Sequence, residues 1–313
     1  MKRNSAVQFA VLSLIWGSSY PLIKVAGEGL NPGQLVLARL ALGAAFLLAV
    51  GAASGVRLPR PGIVWLHLAV ASILGMVAPF LLLAWGEQRT SAAMAGMLTG
   101  ATPVLTLVLA TVQLRSERAT LRRVVGLLLG FAGLTVVIGP WQGAGGSFGG
   151  DVACLVVAGV YAAQAVYVRK FLSGDDMPPM ANAAAQTVVA LVIQAALLPA
   201  LGWRTPSFTW SVSSSILLLG VFGSGVGYVL YYRLISDVGA TAASSVNYLV
   251  PFLSLVISAV VLGETIGWYV PAGGVLIVLS ILIAENQLRR PQLRRQREIV
   301  RLPAAINSEI LEY

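Results

Sequence analysis

The chain has 313 residues, 57% of them hydrophobic and only 11% charged, with a mean hydropathy of +0.83. A water-soluble domain cannot cover its surface with so few charges, whereas runs of about 20 apolar residues suit helices crossing a hydrocarbon core roughly 30 Å thick. The formal charge of +9 invites nucleic acid as a partner, and the placement of the charges argues against it.

Ten such runs are predicted, making this an all-α polytopic membrane protein. The first, 6–25, follows "MKRNS" and lacks an A-x-A cleavage pattern, so a retained helix is expected rather than a signal peptide. Ser13, Trp16, Gly17, Tyr20 and Lys24 share one of its faces at helical spacing. The second run, 33–53, holds Arg39 a little way in. A charge at the bilayer centre costs about 2.5–3.5 kcal/mol on insertion scales, so this side chain should face protein or water. It can bind a substrate carboxylate, pair with Glu28 or Glu87 as an outer gate, or hydrogen-bond main-chain carbonyls. Runs 63–86, 91–113 and 124–141 complete the first half, with Pro103 near the centre of the fourth.

The glycine-rich segment 142–150 then leads to runs 151–171, 179–201, 212–235, 240–262 and 268–287. The sixth carries Tyr161, Gln164 and the chain's single cysteine, Cys154; the eighth carries Tyr228, Tyr231 and Tyr232 at i, i+3 and i+4. The ninth holds Asn247, Tyr248 and, near its centre, Pro251. A proline inside a helix removes a hydrogen bond and clashes with the carbonyl four residues back, costing about 3 kcal/mol. The carbonyls so freed belong to Thr99 and Asn247, both polar; they are expected either to mend the backbone or to face a midplane cavity that bends there.

Assigning Lys and Arg to alternate sides of the ten runs puts 17 of 21 on one side, six of them in the tail 288–313. Lys24, Arg89 and Arg204 fall on the other side, and Arg39 lies within a run. This bias predicts cytoplasmic termini, and a basic tail that meets water or lipid headgroups rather than nucleic acid.

The chain also repeats itself. An offset of 148 residues lays the third and fourth runs on the eighth and ninth without a gap, matching Gly75 with Gly223, Thr99 with Asn247 and Pro103 with Pro251. An offset of 145 matches Trp16 with Tyr161, Ser19 with Gln164 and Lys24 with Arg169. Two units of five runs, 6–141 and 151–287, are joined by the linker 142–150. Because five is odd, the second unit enters the membrane from the opposite face, an inverted arrangement found mostly in transporters with a midplane site.

Tandem units, "WGSSYPLIK" in the first helix, an Arg in the second and a proline helix ending in "LGE" resemble the drug/metabolite transporter superfamily, in its ten-helix EamA branch. Within that branch the chain is similar to YddG-type exporters of aromatic and other amino acids. The likeness covers nearly all of 6–287 and leaves out the tail. The halves have diverged: "QLRSE" in the first stands where the second has "VVLGE", and no Arg in the seventh helix matches Arg39.

What the resemblance implies is a transporter, not an enzyme, exporting small metabolites, foremost aromatic or hydrophobic amino acids, across the inner membrane by alternating access without a cofactor. The residues agree. Trp16, Tyr20, Thr99, Tyr161, Gln164, Tyr228, Tyr231, Tyr232, Asn247 and Tyr248 are the candidate substrate-binding set. An aromatic pocket with a few hydrogen-bonding groups suits a small amphiphilic solute, although the same residues also suit plain helix packing. Pro103, Pro251, Arg39 and Lys24 are the candidate hinges and gates. All twelve acidic residues lie in loops, at run ends or in the tail, so a midplane carboxylate coupled to protons is not expected. One His and one Cys cannot furnish a metal cluster or a nucleophile–base pair. Carriers of phosphorylated sugars would need more cations than Arg39 and Lys24 offer. A membrane helper or sensor is the remaining alternative.

Overall fold

The structure is a computed structural model describing residues 3–87, 89, 95, 98–114, 120–138, 147–173, 177–262 and 268–285. Most of the linker 142–150, the tail 288–313, and Glu117, Trp141 and Glu264 lie outside the described residues. Helices α1 (Arg3–Gly17) and α2 (Ser19–Gly29) form one run interrupted at Ser18. Pro21 has no N–H to continue the ladder there, and the hydroxyls of Ser18 and Ser19 both donate to the Ile15 carbonyl at 2.9 and 3.0 Å. Helix α3 (Pro32–Ala53) starts at a capping box: Asn31 accepts from the Gln34 N–H at 2.8 Å and Gln34 Oε1 accepts from the Asn31 N–H at 3.0 Å.

Helices α4 (Val64–Ser72) and α5 (Ala78–Glu87) are joined through a π-helical segment, Ile73–Val77. After α6 (Thr102–Gln113) and α7 (Leu121–Ile138) comes α8 (Phe148–Phe171), capped by Ser147, with Asp151 in its first turn and Arg169 and Lys170 in its last. Those charges oppose the helix dipole at both ends. Helix α9 (Pro179–Leu197) precedes α10 (Trp210–Leu218) and α11 (Gly227–Val238), which are joined by a second π-helical segment, Leu219–Val226. Helices α12 (Ala240–Ser244), α13 (Val246–Leu262) and α14 (Tyr269–Glu285) complete the described chain.

Among the described residues, six helical runs are long and apolar enough to cross a membrane: 4–29, 32–53, 64–86, 148–171, 179–201 and 210–238. Large apolar side chains stand on the outside, among them Val112 (83% exposed) and Leu121 (81%), as lipid-facing residues do. The fold is that of a polytopic helical membrane protein.

The packing follows the repeat. α1 packs on α13 while α8 packs on α6; α3 packs on the Leu219–Val226 segment while α9 packs on the Ile73–Val77 segment; α7 pairs with α14. The π-helical segments themselves coincide under the 148-residue offset, since Ile73–Val77 maps onto 221–225. A π turn leaves i→i+4 bonds unmade and appears often at functional sites.

One of the two prolines differs from expectation. Pro251 does lie inside α13, but Pro103 occupies the first turn of α6, where a missing N–H costs nothing. In the first half the chain turns at Gly100 and Ala101, just ahead of Pro103; in the second it turns at Ser245, six residues ahead of Pro251. The Thr99 carbonyl is mended by the Thr102 hydroxyl at 2.6 Å.

Candidate functional site

Trp16 and Tyr20, on either side of the break in the first helical run, face the centre of the bundle. There they line a cavity of about 80 Å³ together with Ser19, Ile23, Arg39, Phe80, Leu83, Thr99, Tyr161, Gln164, Tyr228, Tyr231, Asn247 and Val250. Both halves of the chain contribute, and eight of the ten candidate binding residues meet here. The aromatic wall is closely knit. Trp16 packs on Tyr231 with ring centroids 5.1 Å apart and on Tyr228 at 5.7 Å, and Phe80 meets Tyr228 edge-on at 6.5 Å.

Two of these aromatics are held by the π-helical segments. The Tyr228 hydroxyl donates to the Gly75 carbonyl at 2.5 Å, and the Trp16 indole N–H donates to the Gly223 carbonyl at 3.2 Å. Gly75 and Gly223 are the residues matched by the 148-residue offset, so each segment lends one main-chain carbonyl to one aromatic wall residue. Gly75 also needs its missing side chain: a Cβ there would sit 2.8 Å from Gln164 Cγ.

Arg39 carries the only charge among the described residues lining the cavity. It is 5% exposed, its Nε donates to Ser224 Oγ at 3.0 Å, and its guanidinium carbon lies 4.0 Å above the centre of the Phe80 ring. Such a desolvated cation–π contact is worth about 2 kcal/mol or more. Of the two carboxylates expected to pair with it, Glu28 is exposed on α2, and the Glu87 side chain lies outside the described residues. With Nε engaged, the two Nη groups remain, the fork that grips a carboxylate bidentately.

Asn247 Nδ2 donates to the Ser244 carbonyl at 3.0 Å, and Thr99 Oγ1 to the Ala95 carbonyl at 2.8 Å, so both bond the backbone of their own turn while lining the cavity.

A model of the EamA-like transporter family matches this chain twice, over residues 4–139 and 148–285. The chain belongs to the EamA-like transporter family. A relative from Streptantibioticus cattleyicolor, named "Probable terminal-alkyne amino-acid exporter", is 28% identical over 95% of this chain and 98% of its own. The uncharacterized transporter YvbV of Bacillus subtilis is 28% identical over 91% of this chain and 93% of its own, and protein PagO of Salmonella typhimurium is 24% identical over 90% and 91%. A crystal structure covering 93% of this chain, and itself covered to 99%, superimposes with a TM-score of 0.78 at 21% identity and shows the same fold.

Besides Pro103 and Pro251, three of the expected residues of this EamA-like transporter stand apart from the cavity. Tyr232, on the face of α11 that turns toward α9, is 1% exposed; its hydroxyl donates to Gln186 Oε1 at 2.8 Å and accepts from Gln164 Nε2 at 3.2 Å. Tyr248 follows Asn247, and the helical rotation of about 100° per residue carries it into the packing of α7 and α14. There it sits among Leu107, Leu127, Leu134 and Ile277, its hydroxyl donating to the Leu127 carbonyl at 2.8 Å. Lys24 is exposed on α2. Conversely, Phe80, Ser224 and the paired polar residues Asn182 and Gln186 were not singled out from sequence. The last two did leave a sign, as amides four residues apart in an apolar run.

Proposed function

We propose that this EamA-like transporter exports small metabolites, foremost amino acids, across the inner membrane by facilitative alternating access, as ten transmembrane helices in two inverted five-helix units with both termini cytoplasmic. The observation that carries this reading is Arg39, a buried guanidinium with its fork free, stacked on Phe80 in an aromatic cavity whose described lining holds no carboxylate. A substrate carboxylate supplies the missing counter-charge, and the rings of Trp16, Tyr228 and Tyr231 supply faces for an ammonium and an apolar side chain. The relative named as an amino-acid exporter supports the substrate class, and the paired packing of α1 with α13 and α8 with α6 supports the inverted arrangement. Phosphorylated solutes fit less well, since one cation is short of the several that a phosphate dianion needs.

Ligand pockets usually measure about 300–1,000 Å³, and this cavity measures about 80 Å³. An aromatic amino acid enters only once it widens. Counterflow in proteoliposomes with a panel of amino acids, with and without a pH gradient, tests the proposal. Uptake that needs no gradient is the expected result; no counterflow of any amino acid overturns the substrate class, and strictly gradient-driven uptake overturns the facilitative mechanism.

A further inference from the structure

A chain of buried side chains leads away from the cavity. Gln164 Nε2 donates to the Tyr232 hydroxyl at 3.2 Å, which donates to Gln186 Oε1 at 2.8 Å. Gln186 Nε2 donates to Asn182 Oδ1 at 2.5 Å, and Asn182 Nδ2 donates to the Leu172 main-chain carbonyl at 3.0 Å. All four side chains are at most 1% exposed, and Ser72 ties the same stretch of α9 to α4 by donating to the Gln186 carbonyl at 2.8 Å.

The direction of this chain follows from its far end. A main-chain carbonyl only accepts, so Asn182 must turn its NH₂ toward Leu172 and its oxygen toward Gln186. Gln186 must then give its NH₂ to that oxygen and keep its own oxygen for Tyr232. The phenol has a single proton; having spent it on Gln186, it can only accept from Gln164. Each link fixes the next, and reversing any one of them would leave two donors or two acceptors facing each other in a buried setting. At the cavity end one N–H of the Gln164 amide is therefore committed to Tyr232, which fixes which end of that amide is nitrogen and which is the acceptor Oε1. Under the offsets that relate the halves, Gln164 corresponds to Ser19 and Tyr232 to Ala84, so the first half has no such chain.

We infer that Gln164 Oε1 is the acceptor for the substrate's α-ammonium, and that Tyr232, Gln186 and Asn182 are positioning residues that hold it in that polarity. The inference rests on the amino-acid reading above and sharpens it: Arg39 takes the carboxylate and Gln164 the ammonium of one zwitterion.

The test is competition binding on the purified transporter with L-alanine, L-leucine and L-phenylalanine, each against its 2-oxo analogue, which offers an oxygen acceptor where the amino acid has donors. The wild type should prefer the amino acid about tenfold to a hundredfold, the worth of one hydrogen bond to a charged group. Gln186→Met lies outside the cavity and frees the Tyr232 proton to turn the Gln164 amide around. It should erase most of that preference, with affinity for the 2-oxo acid held or raised. Tyr232→Phe and Gln164→Met should do likewise, and the Gln164→Met/Gln186→Met double variant should lose no more than either single one. An unchanged ratio in Gln186→Met, or equal weakening of both ligands, overturns the relay while leaving the amino-acid reading intact. If Gln186→Met does not fold, Tyr232→Phe, which removes one oxygen, decides in the same way. A wild type that binds none of the three amino acids overturns both readings.

Discussion

Arg39 and Gly75 show how much rests on single side chains here. Arg39 is buried at a cost that the Phe80 ring and Ser224 only partly offset, so its conservative replacement is informative. Arg39→Lys keeps the charge but loses the planar fork; the substrate KM in proteoliposome uptake should rise about tenfold, a loss of about 1.4 kcal/mol. Arg39→Gln removes the charge as well and should abolish measurable uptake while leaving expression and membrane insertion unharmed. Gly75→Ala would place a Cβ 2.8 Å from Gln164 Cγ, an overpacking that costs about 1–3 kcal/mol. Gly51, also helical, has open space at the same position. Thermal melting in detergent should therefore show Gly75→Ala destabilised and Gly51→Ala unchanged or slightly stabilised.

At the level of elements, the two halves use their prolines differently despite the matched positions. Pro103 sits in the first turn of α6, and Pro103→Ala should leave initial transport rates within about twofold because that turn needs no N–H. Pro251 lies inside α13, beside a cavity residue whose amide already bonds the preceding turn. Pro251→Ala restores a helical hydrogen bond there and should slow turnover severalfold while raising the melting temperature. Equal effects of the two substitutions on uptake would mean that both prolines serve the same role. The π-helical segments were not legible in the sequence. The sequence shows glycines at 75, 223, 225 and 227, but a π turn depends on what competes for its freed carbonyls, and here the competitors are Trp16 and Tyr228 from elsewhere in the chain.

Across the whole molecule, the charge bias and the proposed five helices per unit make a topological prediction. Cys154 is the only cysteine and is buried in α8, so a Cys154→Ala background should tolerate single reporter cysteines. Arg57 and Arg204 are both exposed in described loops. In intact cells, Arg204→Cys should react with a membrane-impermeant maleimide and Arg57→Cys only after permeabilisation. Labelling of both from outside would overturn the inverted arrangement.

Much of this protein was decided by the sequence alone. Hydropathy made it a membrane protein, the 148-residue echo made it double, and helical periodicity placed Trp16 and Tyr20 on the face that reaches the cavity. These features are local or periodic, and a bilayer enforces them directly, since every span must satisfy its own backbone. The tertiary structure decided which of two adjacent tyrosines faces inward. Tyr231 lines the cavity while Tyr232 turns to Gln186, and Asn247 lines it while Tyr248 turns to Leu127. Neighbouring residues on a helix point about 100° apart, so their fates depend on what packs beside them. The partner of Gln164, 68 residues away, likewise became visible only once α8, α9 and α11 were brought together.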